Sequence, residues 1–284
     1  MSEIDWKRID ELRSNLVTPR LRVNESYADE IKFVDYDFND AARFPEPPKQ
    51  IELTHLTDLQ YGSKNFQQDR FLRHRDWLLS SPYRFVFLGG DIIDAATVLS
   101  IASPYENTEE PIDQVENVCS LLKPLSDAGR ILGYVGGNHE RRTIKAFGDC
   151  GRLIAKNLSV PYSRGVQLID IQFGKHKPFK VSLWHGAGGA RTKGAKAQML
   201  HRFMQQADSH VYLVGHLHDV VLLFDWRQTR VGTRIKLQKI AGVMSSSFQS
   251  YWSSYAEVAA MSPSDTMMAR IILETNGSWE VTLK

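Results

Sequence analysis

From Ile51 onward the chain alternates short apolar runs with longer amphipathic ones. The stretches "IELTHLTD", "YRFVFLGG" and "RILGYVGG" are short and almost continuously apolar, which predicts buried strands. Between them, "FQQDRFLRHRDWLL" and "IDQVENVCSLLKPL" carry apolar residues at helical spacing and predict helices. Strands alternating with helices imply an α/β sheet covered by helices. The second half is richer in strands, with "VQLIDIQF", "FKVSLWH", "HVYLVGH", "VVLLFDW", "RIKLQKIAG" and "MARIILET", and one helix around "AKAQMLHRFMQQ". No internal repeat or low-complexity tract interrupts the pattern. Residues 49–284 therefore read as one α/β domain, a two-sheet sandwich flanked by helices.

The first 48 residues differ. Ile4, Ile9, Leu12 and Leu16 fall at roughly helical spacing, followed by an irregular acidic stretch and the proline-rich "FPEPPKQ". This predicts a small N-terminal helix and arm joined by a linker. Docking onto the main domain is the plain reading, and an arm for a protein partner of unknown kind is the other.

Composition narrows the picture. The 284 residues, 42% of them hydrophobic, suffice for a large core. A net charge of +2 makes no global demand for nucleic acid or an anionic membrane, so any steering of an anion must be local. Cys119 and Cys150 are too few and too far apart for a disulfide framework or a thiolate zinc site. The opening "MSEIDWKRIDELR" is charged throughout and does not read as a signal peptide. No apolar run approaches the roughly 20 residues of a membrane span. The expected compartment is the cytoplasm, with no membrane partner.

The chemistry-bearing residues cluster behind predicted strands. "GGDIID", "GGNHE", "WHGAGG" and "VGHLHD" each follow one, and ligands of open α/β sheets bind at that edge. Asp91, Asn138, His185, His216 and His218 form a mixed oxygen and nitrogen donor set suited to manganese, iron, zinc or magnesium. Residues two apart in an extended segment point to one side, so Asp58 with Gln60, and His216 with His218, can each aim two groups at one site.

These blocks resemble the calcineurin-like metallophosphoesterases, whose pattern is Asp-x-His, Gly-Asp-x-x-Asp, Gly-Asn-His-Glu/Asp, a lone His and Gly-His-x-His. The chain has "DLQ" at 58–60, "GDIID" at 90–94, "GNHE" at 137–140, His185 in "WHGAGG" and "GHLH" at 215–218, in that order. The resemblance implies a metallophosphoesterase sandwich holding two divalent ions, Mn2+ first among the options and Fe, Zn or Mg the others. Asp91 would bridge the ions. Asp58, the residue at position 60 and His218 would hold one, and Asn138, His185 and His216 the other. It also implies that His139, not itself a ligand, assists the leaving oxygen while a metal-bridging hydroxide attacks phosphorus. His139 and Asp91 are thus the expected catalytic residues.

Gln60 departs from the pattern. Its amide can be a weaker, neutral ligand, it can hydrogen-bond a metal-held water, or the first site can be lost or fill only with substrate. His55 is no substitute, since it lies on the opposite strand face, roughly 10 Å from Asp58 along an extended chain. Asp94 reads as a turn or helix-capping residue behind the ligands. His201 and His210 read as ordinary helix and strand-edge residues.

Arg141, Arg142, Arg191 and Lys193, with Lys196 nearby, are candidate cations for substrate phosphates, each alternatively a solvated surface residue. In "SSSFQSYWSSY", Phe248, Tyr251, Trp252 and Tyr255 either stack bases or pin the loop by packing. The expected activity is metal-dependent hydrolysis of a phosphodiester in a nucleotide or nucleic acid, hence a nuclease or phosphodiesterase. An accessory subunit of weak or no turnover and a phosphomonoesterase are the alternatives.

Overall fold

The structure, a computed structural model, describes residues 20–23, 33–39, 48–96 and 107–284. Its strands, in chain order, are β1 (Arg20–Val23), β2 (Phe33–Asp37), β3 (Gln50–Leu56), β4 (Arg84–Leu88), β5 (Ile131–Val135), β6 (Tyr162–Ser163) and β7 (Gln167–Gln172). There follow β8 (Phe179–Trp184), β9 (Val211–Val214), β10 (Val221–Val231), β11 (Arg234–Met244), β12 (Ala269–Glu274) and β13 (Trp279–Leu283). The helices are α1 (Gln68–Leu79), α2 (Pro111–Asp127), α3 (Asn138–Arg142), α4 (Ile144–Phe147), α5 (Cys150–Leu158), α6 (Lys193–Met204) and α7 (Tyr255–Val258).

Two mixed sheets stack face to face. One has the order β1-β2-β7-β8-β9-β11-β10 and the other β13-β12-β3-β4-β5-β6. Within the second, β3 through β6 run parallel, with β12 antiparallel at β3. This is the two-sheet α/β sandwich that the alternation of elements predicts.

Strand periodicity explains the layering, because successive side chains point to opposite faces. Phe85 and Phe87 of β4 and Val211 and Leu213 of β9 enter the core between the sheets. Val86 and Leu88 instead face a helical layer with Phe71 and Leu78 of α1, Val118 and Leu122 of α2, and Ile154 of α5. Tyr212 and Val214 meet Leu200, Phe203 and Met204 of α6 on the opposite outer face. Strands buried on both faces read as continuous apolar runs, the pattern seen in the sequence.

Local signals set the helix starts. Pro111 stands in the first turn of α2, where its missing N–H costs nothing. The Asp149 side chain caps α5 by accepting from Arg152 N, and Thr192 Oγ1 caps α6 by accepting from Ala195 N. No helix among the described residues is long and apolar enough to cross a membrane. Both cysteines are buried free thiols.

The boundary expected at residue 48 does not separate the sheets. β2 pairs in parallel with β7, and Val34, Tyr36 and Phe38 are buried among the residues of the central core. The Tyr36 hydroxyl donates to the Leu132 carbonyl of β5 in the facing sheet. The helix expected over residues 3–16 lies outside the described residues.

Tyr36→Ala is therefore expected to lower unfolding free energy by about 3–5 kcal/mol, measured by urea denaturation. A loss below about 0.5 kcal/mol, the surface value, would make this segment an appendage.

Candidate metal centre

Asp58 follows β3, Asp91 follows β4, Asn138 follows β5, His185 follows β8, and His216 and His218 follow β9. The chain turns abruptly at these places. Asp58, Gln60, Asp91, His216 and His218 have φ of 51°, 47°, 49°, 69° and 46°. Residues with a Cβ seldom adopt that region, and such strain, of order 1–3 kcal/mol each, persists where surrounding contacts over-determine the backbone. Two glycines allow the loops to touch. A Cβ at Gly137 would collide with Asp91 Oδ1, and one at Gly215 with Thr57 Oγ1 and Asp58 Oδ2.

Each carboxylate uses one oxygen to fix itself and turns the other inward. Asp58 Oδ2 accepts from Thr57 Oγ1 at 2.6 Å and from His216 N at 2.8 Å. Its Oδ1 lies 3.2 Å from His218 Nε2. Asp91 Oδ1 accepts from His139 N at 2.8 Å, while Oδ2 faces His185 Nε2 at 3.1 Å. Burial opposes ionisation of both groups, but the imidazoles beside them outweigh it and hold both pKa values below the ordinary aspartate range.

Backbone carbonyls orient the imidazoles. His185 Nδ1 donates to Gly89 O at 2.8 Å, leaving Nε2 within 3.1 Å of Asn138 Oδ1. His216 Nε2 donates to Gly188 O at 2.8 Å, which leaves Nδ1 as its free donor atom for a ligand. Such partners fix tautomer and direction in metal sites. Burial works against a charged His185, but the Asp91 carboxylate overrides it and pushes the pKa up to about 9. His216 is shifted the other way, by burial and then by His185.

The donor set fits a divalent cation. One donor atom each from Asp91, His185 and His216 lies within 4.8 Å of the others, and Asn138 Oδ1 adjoins them through His185. Asp58 Oδ1 is a buried carboxylate oxygen without a hydrogen bond of good geometry, although His218 Nε2 is 3.2 Å away. A cation between these two would satisfy the carboxylate and the imidazole together. Gln60, 9% exposed, adds its amide here, with Nε2 3.1 Å from His218 Nε2 and 3.4 Å from His139 Nε2.

His139 stands beside the donors. Its Nδ1 donates to Asp94 O at 2.7 Å, and Nε2 lies 3.5 Å from Asp91 Oδ2 and 2.9 Å from an Arg142 nitrogen. Burial and Arg142 disfavour its charged form, but Asp91 and Asp94 outweigh them and raise its pKa. Asp94 thus backs His139, with Oδ1 3.1 Å from Nδ1, instead of capping a helix. His55 is fully buried, takes a 3.0 Å hydrogen bond with Ser245 Oγ, and has its pKa driven to about 3 by burial.

Glu140 and Asp219 play structural parts that local sequence patterns do not announce. Glu140 accepts from Gly137 N at 2.9 Å, Asp91 N at 3.1 Å, Ile92 N at 2.7 Å and Tyr134 Oη at 2.9 Å. It thereby ties the loop after β4 to the loop after β5. Asp219, 2% exposed, pairs with Lys193 and Lys196, joining the start of α6 to the loop that carries His216 and His218. The only sequence signals are that Glu140 closes the "GNHE" block and that Asp219 directly follows "GHLH".

Above the donors opens a cavity of about 430 Å³, lined by Gln60, Asp91, Asn138, His139, His216 and His218. Of the expected phosphate-binding cations, Arg142, Arg191 and Lys196 line it, the last with its amine paired to Asp219. The other two do not. Arg141 turns to the Gly137 carbonyl at 3.0 Å, and Lys193 is held by Asp219 and by Val220 O. In the serine-rich loop, Phe248 is buried beside Phe71 and His74, which agrees with the packing reading. Tyr251 lines the cavity and Trp252 is 71% exposed. The Tyr255 side chain lies outside the described residues.

Fold and side chains together define an α/β sandwich with a candidate cation-binding centre at its strand ends. No protein-family model and no curated protein matches the sequence. Among solved structures, the NAD nucleotidase NadN of Haemophilus influenzae is similar at 11% identity and a TM-score of 0.38. The match covers 82% of this chain and 49% of that one, so the chain spans about half its length. Neither the fold nor the chemistry described above depends on that likeness.

Glu140→Ala is expected to lower unfolding free energy by about 3 kcal/mol, since it strands buried donors, and to reduce retention of added Mn2+. Unchanged urea midpoints together with unchanged metal content would remove Glu140 from any organising role.

Proposed function

We propose that this protein is a metal-dependent phosphoesterase, and that it cleaves phosphodiesters of nucleotides or nucleic acids. The observation that carries this reading is the convergence of Asp58, Asp91, Asn138, His185, His216 and His218 at one edge, with His139 and two arginines facing the same cavity. Asp91, grouped with His185 and His216, is the carboxylate that the resembled pattern would share between the two ions. Asp58, Gln60 and His218 would hold one ion, and Asn138, His185 and His216 the other. Divalent ions such as Mn2+, Fe, Zn or Mg, once held there, supply Lewis-acid charge to phosphoryl oxygens and lower the pKa of coordinated water.

The chain's own groups do the rest. Arg142 and Arg191 neutralise the non-bridging phosphate oxygens, a task suited to the forked geometry of guanidinium. His139 stabilises the departing oxygen from Nε2, and its Nδ1 bond to Asp94 O keeps the ring aimed there. Nε2 rests 2.9 Å from an Arg142 nitrogen, so Arg142 must turn to the phosphate before a proton on Nε2 can reach the departing oxygen. A cavity of about 430 Å³ exceeds the needs of one phosphate and falls within the range of small-molecule sites, which supports a nucleotide-sized ligand. Tyr251 offers a ring at its wall for a base.

Gln60, where the resembled pattern has histidine, favours a second reading as an accessory subunit that kept the fold and lost turnover. The two are separated by hydrolysis of an activated phosphodiester with added Mn2+. His139→Ala is expected to reduce kcat by about 10²–10⁴-fold without changing metal content. Mn2+-loaded protein that hydrolyses no phosphoester sinks the enzymatic reading. A dinucleotide should be cut at its internal linkage while the corresponding mononucleotide keeps its phosphate. The reverse selectivity identifies a phosphomonoesterase.

A further inference from the structure

The two donor groups at the strand ends are not equivalent. The Asp91, His185 and His216 donors already lie within 4.8 Å of one another, and Asn138 Oδ1 is beside them. No third His, Cys or carboxylate donor joins Asp58 and His218 in such a group among the described residues. The nearest added donor is Gln60, whose amide is neutral and a poorer ligand for borderline divalent metals than imidazole.

The orientation of Gln60 deepens the difference. Its Nε2, not its carbonyl oxygen, faces the imidazole nitrogens of His218 and His139, at 3.1 and 3.4 Å. An amide nitrogen is a hydrogen donor and no metal ligand. Ligation by Gln60 therefore requires the amide to rotate and surrender its contact with His218, whose Nε2 must itself be released to meet a cation. The backbone gives no help, since Gln60 N–H is fixed to Asp91 O at 2.9 Å and φ is 47°.

Resting on the metal-centre reading above, we propose that this protein holds one resident divalent ion at Asp91, Asn138, His185 and His216. A second ion, at Asp58, Gln60 and His218, exchanges freely. Gln60 is the residue that makes the centre unequal, and a histidine there removes the inequality. The charge of the second group is sufficient, because Asp58 is a buried carboxylate with an oxygen turned inward. What it lacks is a pre-aimed third donor.

The test uses the full chain stripped with chelator and titrated with Mn2+ by calorimetry. Desalting, elemental analysis and electron paramagnetic resonance follow. Two affinities differing by about 10–100-fold are expected, the range usual for removing one support from a metal site. One Mn2+ per chain should survive desalting, with the spectrum of an isolated ion. In Gln60→His the affinities should converge, two ions should be retained, and the spectrum should become that of a spin-coupled pair. If that variant is misfolded, His218→Ala and His216→Ala serve instead, the first keeping the retained ion and the second losing it. Two equal sites in the parent, or loss of the retained ion in His218→Ala, overturn the inequality while leaving a metal centre in place. Absence of any Mn2+ binding to the folded parent overturns the metal-centre reading itself and this inference with it.

Discussion

Four donors converge on the buried carboxylate of Glu140, three of them backbone amides that belong to two different loops. Those loops carry Asp91 on one side and Asn138 with His139 on the other. Strand ends are free to fray or wander because their last amides have no ladder partner. Glu140 supplies that partner at the one edge where displacement would scatter the donor atoms. The cost is a carboxylate removed from water, and the burial and the nearby Asp91 both push its pKa upward. The amides offset this by pointing their dipoles at it.

The same economy recurs in the donor residues. A carboxylate with both oxygens free would rotate, and one with both oxygens bonded would have nothing left for a ligand. Asp58 and Asp91 each divide the two tasks between their oxygens. Their left-handed backbone conformations show what the arrangement requires, since residues with a Cβ occupy that region only under constraint. The unfavourable torsions are borne by a scaffold whose strands are buried on both faces, so rigidity and strain are located in adjoining parts of the same chain.

The sequence reveals features that are local. Strands and helices announce themselves by period, and the polar blocks stand out because each follows an apolar run and a glycine. The structure brings the expected donors to one edge for that reason. Contacts between distant segments are less legible. Nothing in "RRT" says that Arg141 folds back on Gly137 O while Arg142 reaches His139. Nothing around Lys193 foretells Asp219, which is 26 residues away. The strand at Phe33–Asp37 was hidden by its acidic and polar neighbours, because its partner β7 arrives more than a hundred residues later. Short α5 is announced locally only by the Asp149 cap that precedes it.

The pairing of β2 with β7, and of β3 with β12, has a bearing on how the chain assembles during synthesis. β3 occupies the middle of its sheet, yet its antiparallel neighbour ends at Glu274. β2 has β1 on one side from the start, but its other edge waits for residues 167–172 before a strand lies beside it. Neither sheet is complete until most of the polypeptide has left the ribosome, and the early apolar strands spend that interval without their final neighbours. Contacts of such long sequence separation fold slowly and expose unpaired edges meanwhile. The nascent chain is thus the state in which these apolar strands have the most unpaired edge.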